Sequence, residues 1–87
     1  MKYLGKQPMR VYVRLFGWFS HQFDGYDSQK GITLDLPGNA TVEDLIQALK
    51  MDASDSSVAL SDGRVLRPWN RLQPGKTVSI FPVVYGG

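Results

Sequence analysis

The 87-residue sequence contains no cysteine. This excludes a disulfide scaffold, a thiolate metal site, a cysteine nucleophile and a thioester on one of the chain's own side chains. Its one histidine, His21, cannot build a histidine-rich zinc site and reads as a solvated loop residue. No apolar run approaches the ~18 residues of a membrane span. Residues 1–8 carry lysines but no apolar stretch, so they read as a flexible leader rather than a signal peptide. The expectation is a soluble, cytoplasmic protein that does not bind membrane. A hydrophobic content of 43% is that of a chain that folds, and the length suits one small domain. A formal charge of +2 is too mild to argue for nucleic acid, and no dense basic cluster is interleaved with stacking aromatics. No nucleophile–base pair or metal constellation suggests an independent enzyme.

Charge is placed unevenly. Residues 1–14 hold Lys2, Lys6, Arg10 and Arg14 and no acid, residues 15–62 carry a net −6, and residues 63–87 hold Arg64, Arg67, Arg71 and Lys76 and no acid. Pairing of the two ends in space would create one basic face, either a steering surface or an aid to solubility.

Residues 9–16 alternate strictly. Met9, Val11, Val13 and Leu15 form an apolar face; Arg10, Tyr12, Arg14 and Phe16 form the other. This is a half-buried strand. Residues 17–30 are irregular and long for a hairpin connection. Their Trp18, Phe19, Phe23 and Tyr26 read as a satellite cluster closing one end of the core, and Asp24 and Asp27 as turn formers. Ile32, Leu34 and Leu36 mark a second strand, ended by Pro37-Gly38-Asn39. Thr41 is a helix N-cap with Asp44 three residues on. Val42, Leu45, Ile46 and Leu49 follow helical spacing, with Glu43 and Asp44 in the first turn and Lys50 at the end. A short strand at 58–60, a turn at Asp62-Gly63 and a short extended piece at 64–67 follow. Trp69, beside Pro68, reads as structural. The last strand spans 77–84, stopping or bulging near Pro82, which has no ladder donor.

The sequence then reads Val83-Val84-Tyr85-Gly86-Gly87. Two terminal glycines are weak evidence alone, because scars and disordered ends also produce them. A patterned strand, a proline and a short extended tail leading to a glycine carboxylate make a more specific combination.

Three segments carry a resemblance. They are Val11-Tyr12-Val13-Arg14-Leu15-Phe16-Gly17, Ala40-Thr41-Val42-Glu43-Asp44-Leu45, and Phe81-Pro82-Val83-Val84-Tyr85-Gly86-Gly87. Taken in order, they resemble the small-subunit sulfur carriers of molybdopterin synthase, within the ubiquitin-like family that includes the thiamine sulfur carrier. The resemblance covers about residues 9–87.

It implies an α+β, ubiquitin-like β-grasp: a mixed sheet of four to five strands with one main helix packed on one face. It divides the chain into the leader 1–8, a domain at 9–84 and an extended tail at 85–87. A ubiquitin-activating-like enzyme, using ATP, would adenylate the Gly87 carboxylate, with Gly86 giving the tail its slimness. A sulfur donor would leave a thiocarboxylate for a molybdopterin synthase large subunit or another acceptor. The carrier itself would bind no cofactor and no metal and would be non-catalytic. Docking is expected through Phe16, Val65, Phe81, Pro82, Val84, Tyr85 and Arg14, with Arg10, Arg64 and Arg67 around the patch. Simple sheet packing beneath the long loop is the other reading of Phe16 and Phe81. Val83 stands where the family has a second proline, and Tyr85 where it has a small residue, which leaves a different sulfur acceptor open. Three other functions remain: a ubiquitin-like modifier joined to lysines through Gly87, a thiamine-pathway carrier, and a plain β-grasp interaction module.

Overall fold

The computed structural model describes residues 8–21, 25–51 and 57–83. Residues 1–7 of the expected leader, Phe23, Asp24, Val84 and the expected tail Tyr85, Gly86 and Gly87 lie outside the described residues.

Five strands form one mixed sheet. They are β1 (Met9–Leu15), β2 (Ile32–Leu36), β3 (Ser57–Ser61), β4 (Arg64–Leu66) and β5 (Thr77–Pro82), in the spatial order β2-β1-β5-β3-β4. The central β1 and β5 run parallel and the other neighbours antiparallel. One helix, α1 (Val42–Ala48), packs on one face. This is the expected β-grasp arrangement.

The core follows from the two periodicities. Met9, Val11, Val13 and Leu15 of β1 and Val78 and Ile80 of β5 are buried on the helix side, meeting Val42, Leu45 and Leu49. Thr41 caps α1 as expected: its hydroxyl accepts the Asp44 N–H, and the Asp44 carboxylate accepts the Thr41 N–H at 2.9 Å.

The helix ends one residue before the last member of its apolar pattern. Leu49 is the C-cap, and Lys50 takes a left-handed φ of 57°. The Lys50 N–H donates to the Gln47 carbonyl and the Met51 N–H to the Ile46 carbonyl, the double bond of a Schellman end. Lys50 thus occupies a position that favours glycine instead of extending the last turn. The Asp62-Gly63 turn appears between β3 and β4, both residues at positive φ, as a two-residue hairpin requires.

The stretch after β1 departs from an irregular loop: Gly17–His21 is a 3-10 helix. Phe19 is fully buried in the main core, while Trp18 remains largely exposed and meets the Phe19 ring edge-on. Tyr26 supplies what the sheet lacks at its upper end. Leu15 lies one step past the last β1–β2 pair, Val13 with Ile32. The Tyr26 hydroxyl accepts the Leu15 N–H at 2.8 Å and donates to the Leu15 carbonyl at 3.4 Å. Trp69 differs from its structural reading: it is 72% exposed.

Candidate partner-docking face and tail root

Strand pairing assembles the face of the sheet opposite the helix. Phe16 follows β1 and lies beside Phe81 of β5; their rings stack with centroids 4.4 Å apart and planes 11° from parallel. Val58 of β3 pairs with Phe81 in the next position across. One step down, Arg14, Ser79, Leu60 and Val65 form a second row across four strands. Phe16, Phe81 and Val65, expected together from the sequence, therefore share one face. Val65 is the most open of them at 55% exposure, whereas Phe81 is half-buried. The two phenylalanines stack on each other, so packing and presentation coexist in one pair.

Val58 and Leu60 complete this apolar surface and were not singled out in the sequence. The available signal was the alternation of 57–61 combined with the tight Asp62-Gly63 turn, which fixes the register placing Leu60 beside Val65.

Pro82 is the root of the tail and has a defined seat. Gly17 turns the chain at φ +62°, and a β-carbon there would lie 2.6 Å from Pro82 Cγ. A residue with a side chain would displace the ring. β5 ends at Pro82, where the missing ladder donor was expected to stop the 77–84 stretch, and its partner Ser57 still pairs with it. The candidate tail residues Val84, Tyr85, Gly86 and Gly87 lie beyond the described segment.

The expected ring of arginines is redistributed. Arg14 stays on the face, its guanidinium donating to the Ser28 and Gln29 carbonyls at 3.2 and 3.3 Å. It thereby ties β1 to the 25–31 turn. Arg10 lies at the opposite end of β1 and pairs with Asp35 at 3.0 Å. The hydrogen bond from Arg10, together with its charge, holds the Asp35 carboxyl below the usual carboxylate range. Arg64 falls on the other side of β4 from Val65 and lines a groove with Leu66, Arg71 and Leu72. Arg67 is exposed just beyond β4. Among the described residues the cations are dispersed rather than gathered on one face: Asp35 pairs with Arg10, Asp62 with Lys76, and Arg64 and Arg67 lie at the β4 edge of the sheet.

Among the described residues, no group of three His, Asp or Glu side chains is placed to hold a metal ion. No helix among them is long and apolar enough to cross a membrane.

The fold is similar to two solved structures. The crystal structure of SAMP1 from Haloferax volcanii matches at 21% identity with a TM-score of 0.66, covering 90% of this chain and 99% of that one. The solution structure of the Haloferax volcanii HVO 2177 protein matches at 24% identity with a TM-score of 0.70, covering 100% and 97%. A comparison with curated proteins gives no match. A family model aligns with residues 13–87, from the middle of β1 through Gly86-Gly87, and the chain belongs to the ThiS family.

Proposed function

We propose that this protein is a sulfur carrier whose Gly87 carboxylate is adenylated by a ubiquitin-activating-like enzyme and converted to a thiocarboxylate. The observation that carries this reading is the family match running to residue 87, through the Gly86-Gly87 pair. A carboxylate is a poor electrophile; an acyl-adenylate gives it a good leaving group for an incoming sulfide. Glycine carries no β-carbon to obstruct either reagent. From Pro82 the six residues to Gly87 span roughly 20 Å when extended, enough to reach a buried site while the sheet docks outside. The activating enzyme binds and uses the ATP, releasing pyrophosphate on adenylation and AMP when sulfide attacks, and this chain needs no catalytic side chain.

The surface of Phe16, Phe81, Val58, Leu60 and Val65 suits docking because it adjoins the tail root and is apolar beside the exposed Arg14. We assign the final acceptor to the pterin pathway of the molybdenum or tungsten cofactor, on the strength of the Phe81-Pro82-Val83-Val84-Tyr85-Gly86-Gly87 ending.

Incubation with the activating enzyme, ATP and a sulfur source tests the proposal by intact mass. Replacing one carboxyl oxygen by sulfur adds about 16 Da. Deleting Gly87 abolishes the gain and leaves the fold unchanged. Absence of any gain with every cognate activating enzyme rejects the carrier role. Lysine-linked adducts in cells that vanish on removing Gly86-Gly87 identify a modifier instead. Transfer to a thiamine precursor rather than a pterin reassigns the pathway. Val65→Asp leaves the unfolding free energy within about 0.5 kcal/mol of wild type, since the residue is exposed, yet slows activation by weakening docking.

A further inference from the structure

We propose that the groove between β4 and residues 71–76, together with Trp69 on the adjoining turn, binds an acidic segment of a partner protein. Carboxylates of that segment meet Arg64 and Arg71, and one of its apolar residues covers the indole. The site lies at the end of the sheet opposite the tail root and is independent of the tail chemistry.

The 67–71 turn is pinned before any partner arrives. The Asn70 N–H donates to the Arg67 carbonyl, and the Arg67 N–H to Asn70 Oδ1, at 2.9 and 2.8 Å. The Pro68 and Asn70 carbonyls accept the first N–H groups of α1 at 3.0 Å, and the Leu72 N–H donates to the Ala40 carbonyl at 2.9 Å. This network uses backbone groups and the Asn70 side chain, so the fold does not need the indole to hold the turn. At 72% exposure, Trp69 is the most open large apolar side chain among the described residues. A tryptophan held out on a fixed turn is the form of an interface anchor: it covers a large area and loses little freedom on binding.

Alternation puts Arg64 and Leu66 on the helix side of β4, away from Val65. There they line a groove of about 390 Å³ with Arg71, Leu72, Lys76 and Val78. Leu72 and Val78 are buried and Leu66 is half-buried, so the floor is aliphatic, whereas both arginines are exposed. Local carboxylates leave those arginines free. Asp62 pairs with Lys76 at 3.0 Å, Asp44 accepts the Thr41 N–H and hydroxyl, and Glu43 is not part of the groove wall. Neither Arg64 nor Arg71 forms an ion pair among the described residues. Two unpaired guanidiniums above an aliphatic floor complement a segment in which carboxylates alternate with apolar side chains. A nucleic-acid strand fits less well. Its unbroken row of phosphates would meet the Asp62 carboxylate, and Trp69 is the one aromatic of residues 61–78 available for stacking.

The length of β5 separates this groove from the tail. Thr77 begins the strand beside Lys76 and Pro82 ends it, about 17 Å away. Insertion of the tail into an enzyme therefore leaves the groove open, and both partners are held at once.

The test uses the full chain and the end-blocked synthetic peptide Glu-Leu-Glu-Leu-Glu-Pro. Shift changes are expected at the amides of 61–66 and 71–76 and at the Trp69 indole N–H, with affinity falling several-fold as salt is raised. The same peptide with Gln for Glu binds at least tenfold more weakly, an arm that needs no protein variant. Arg64→Glu, Arg71→Glu and Trp69→Ala each weaken binding several-fold with the unfolding midpoint retained, because all three residues are exposed. Deleting Gly86-Gly87 leaves the affinity unchanged, so failure of the carrier role would not remove this site. No binding at millimolar peptide, equal binding of the Gln peptide, or shifts at Leu60 and Phe81 instead would overturn the proposal. So would a short oligothymidylate that binds more tightly and displaces the peptide, which assigns the groove to nucleic acid. Self-association of the free chain that Trp69→Ala abolishes overturns it too, and assigns the surface to a second copy.

Discussion

Gly17 and Pro82, 65 positions apart in sequence, are in direct contact: a β-carbon on Gly17 would lie 2.6 Å from Pro82 Cγ. The turn leaving β1 and the root of the C-terminal tail are therefore one packing unit. Gly17→Ala combines this overlap with a φ of +62°, and is expected to cost about 1–3 kcal/mol in chemical denaturation. Pro82→Ala removes the ring that the new methyl group meets. In a double-mutant cycle Gly17→Ala then costs less in that background, and the remainder measures the backbone strain.

Tyr26→Phe removes the hydroxyl that serves both polar groups of Leu15, at the point where β2 no longer reaches β1. The expected loss is about 1–2 kcal/mol, or about 5–15 °C in thermal midpoint for a domain of this size. Amide exchange at Leu15 should accelerate more than exchange at Val13, whose partner Ile32 is unchanged.

Lys50→Gly is expected to stabilise the protein by about 1 kcal/mol. Lys50 holds the left-handed position of the Schellman end at φ 57°, where glycine meets no steric penalty. Denaturant midpoints of the two proteins provide the measurement. The ordinary helix-interior cost of glycine does not apply beyond the C-cap.

The Arg10–Asp35 pair gives a pH dependence of defined sign. Hydrogen bonding to Arg10 lowers the Asp35 pKa in the folded state. The stabilisation is therefore complete above the ordinary carboxylate pKa, and is lost as pH falls through the depressed folded value. Both side chains are largely exposed, so the effect is small and weakens with salt. Midpoints of wild type and Asp35→Asn measured from neutral to acid pH should differ at neutral pH and converge at the acid end.

Sequence patterns revealed elements whose information is local. The period-two alternation of Met9 to Leu15 sorted inside from outside, and Thr41 with Asp44 marked the start of α1 three residues apart. Phe16 and Phe81 could be placed on one face by parity, and Val65 was grouped with them by its place on the adjacent short strand and the family resemblance. Contacts set by distant chain were less legible. Arg10 looked available for steering because Asp35, its partner, is 25 residues away and reaches it only through the β1–β2 register. Val58 and Leu60 join the apolar face through pairing with Phe81 and Val65, and alternation of a five-residue strand does not name its neighbours.

Trp69 shows the same limit from the other side. An aromatic beside proline suggests core, yet the 67–71 turn is fixed by its backbone. The Pro68 and Asn70 carbonyls accept N–H groups from Glu43 and Val42 at the start of α1, and Asn70 Oδ1 accepts the Arg67 N–H. The turn is held without burying the indole.

The parallel pairing of β1 and β5 also has a mechanical consequence. Both strands run the same way at the centre of the sheet, so tension applied between Met9 and Pro82 draws them past each other along their length. The bonds from Tyr12 to Lys76 and from Phe16 to Ile80 then share the load in shear rather than opening one after another. A pulling device that grips the C-terminal tail against the start of β1 meets its greatest resistance here. The antiparallel β3–β4 hairpin, pulled apart from its open end, would unzip at far lower force.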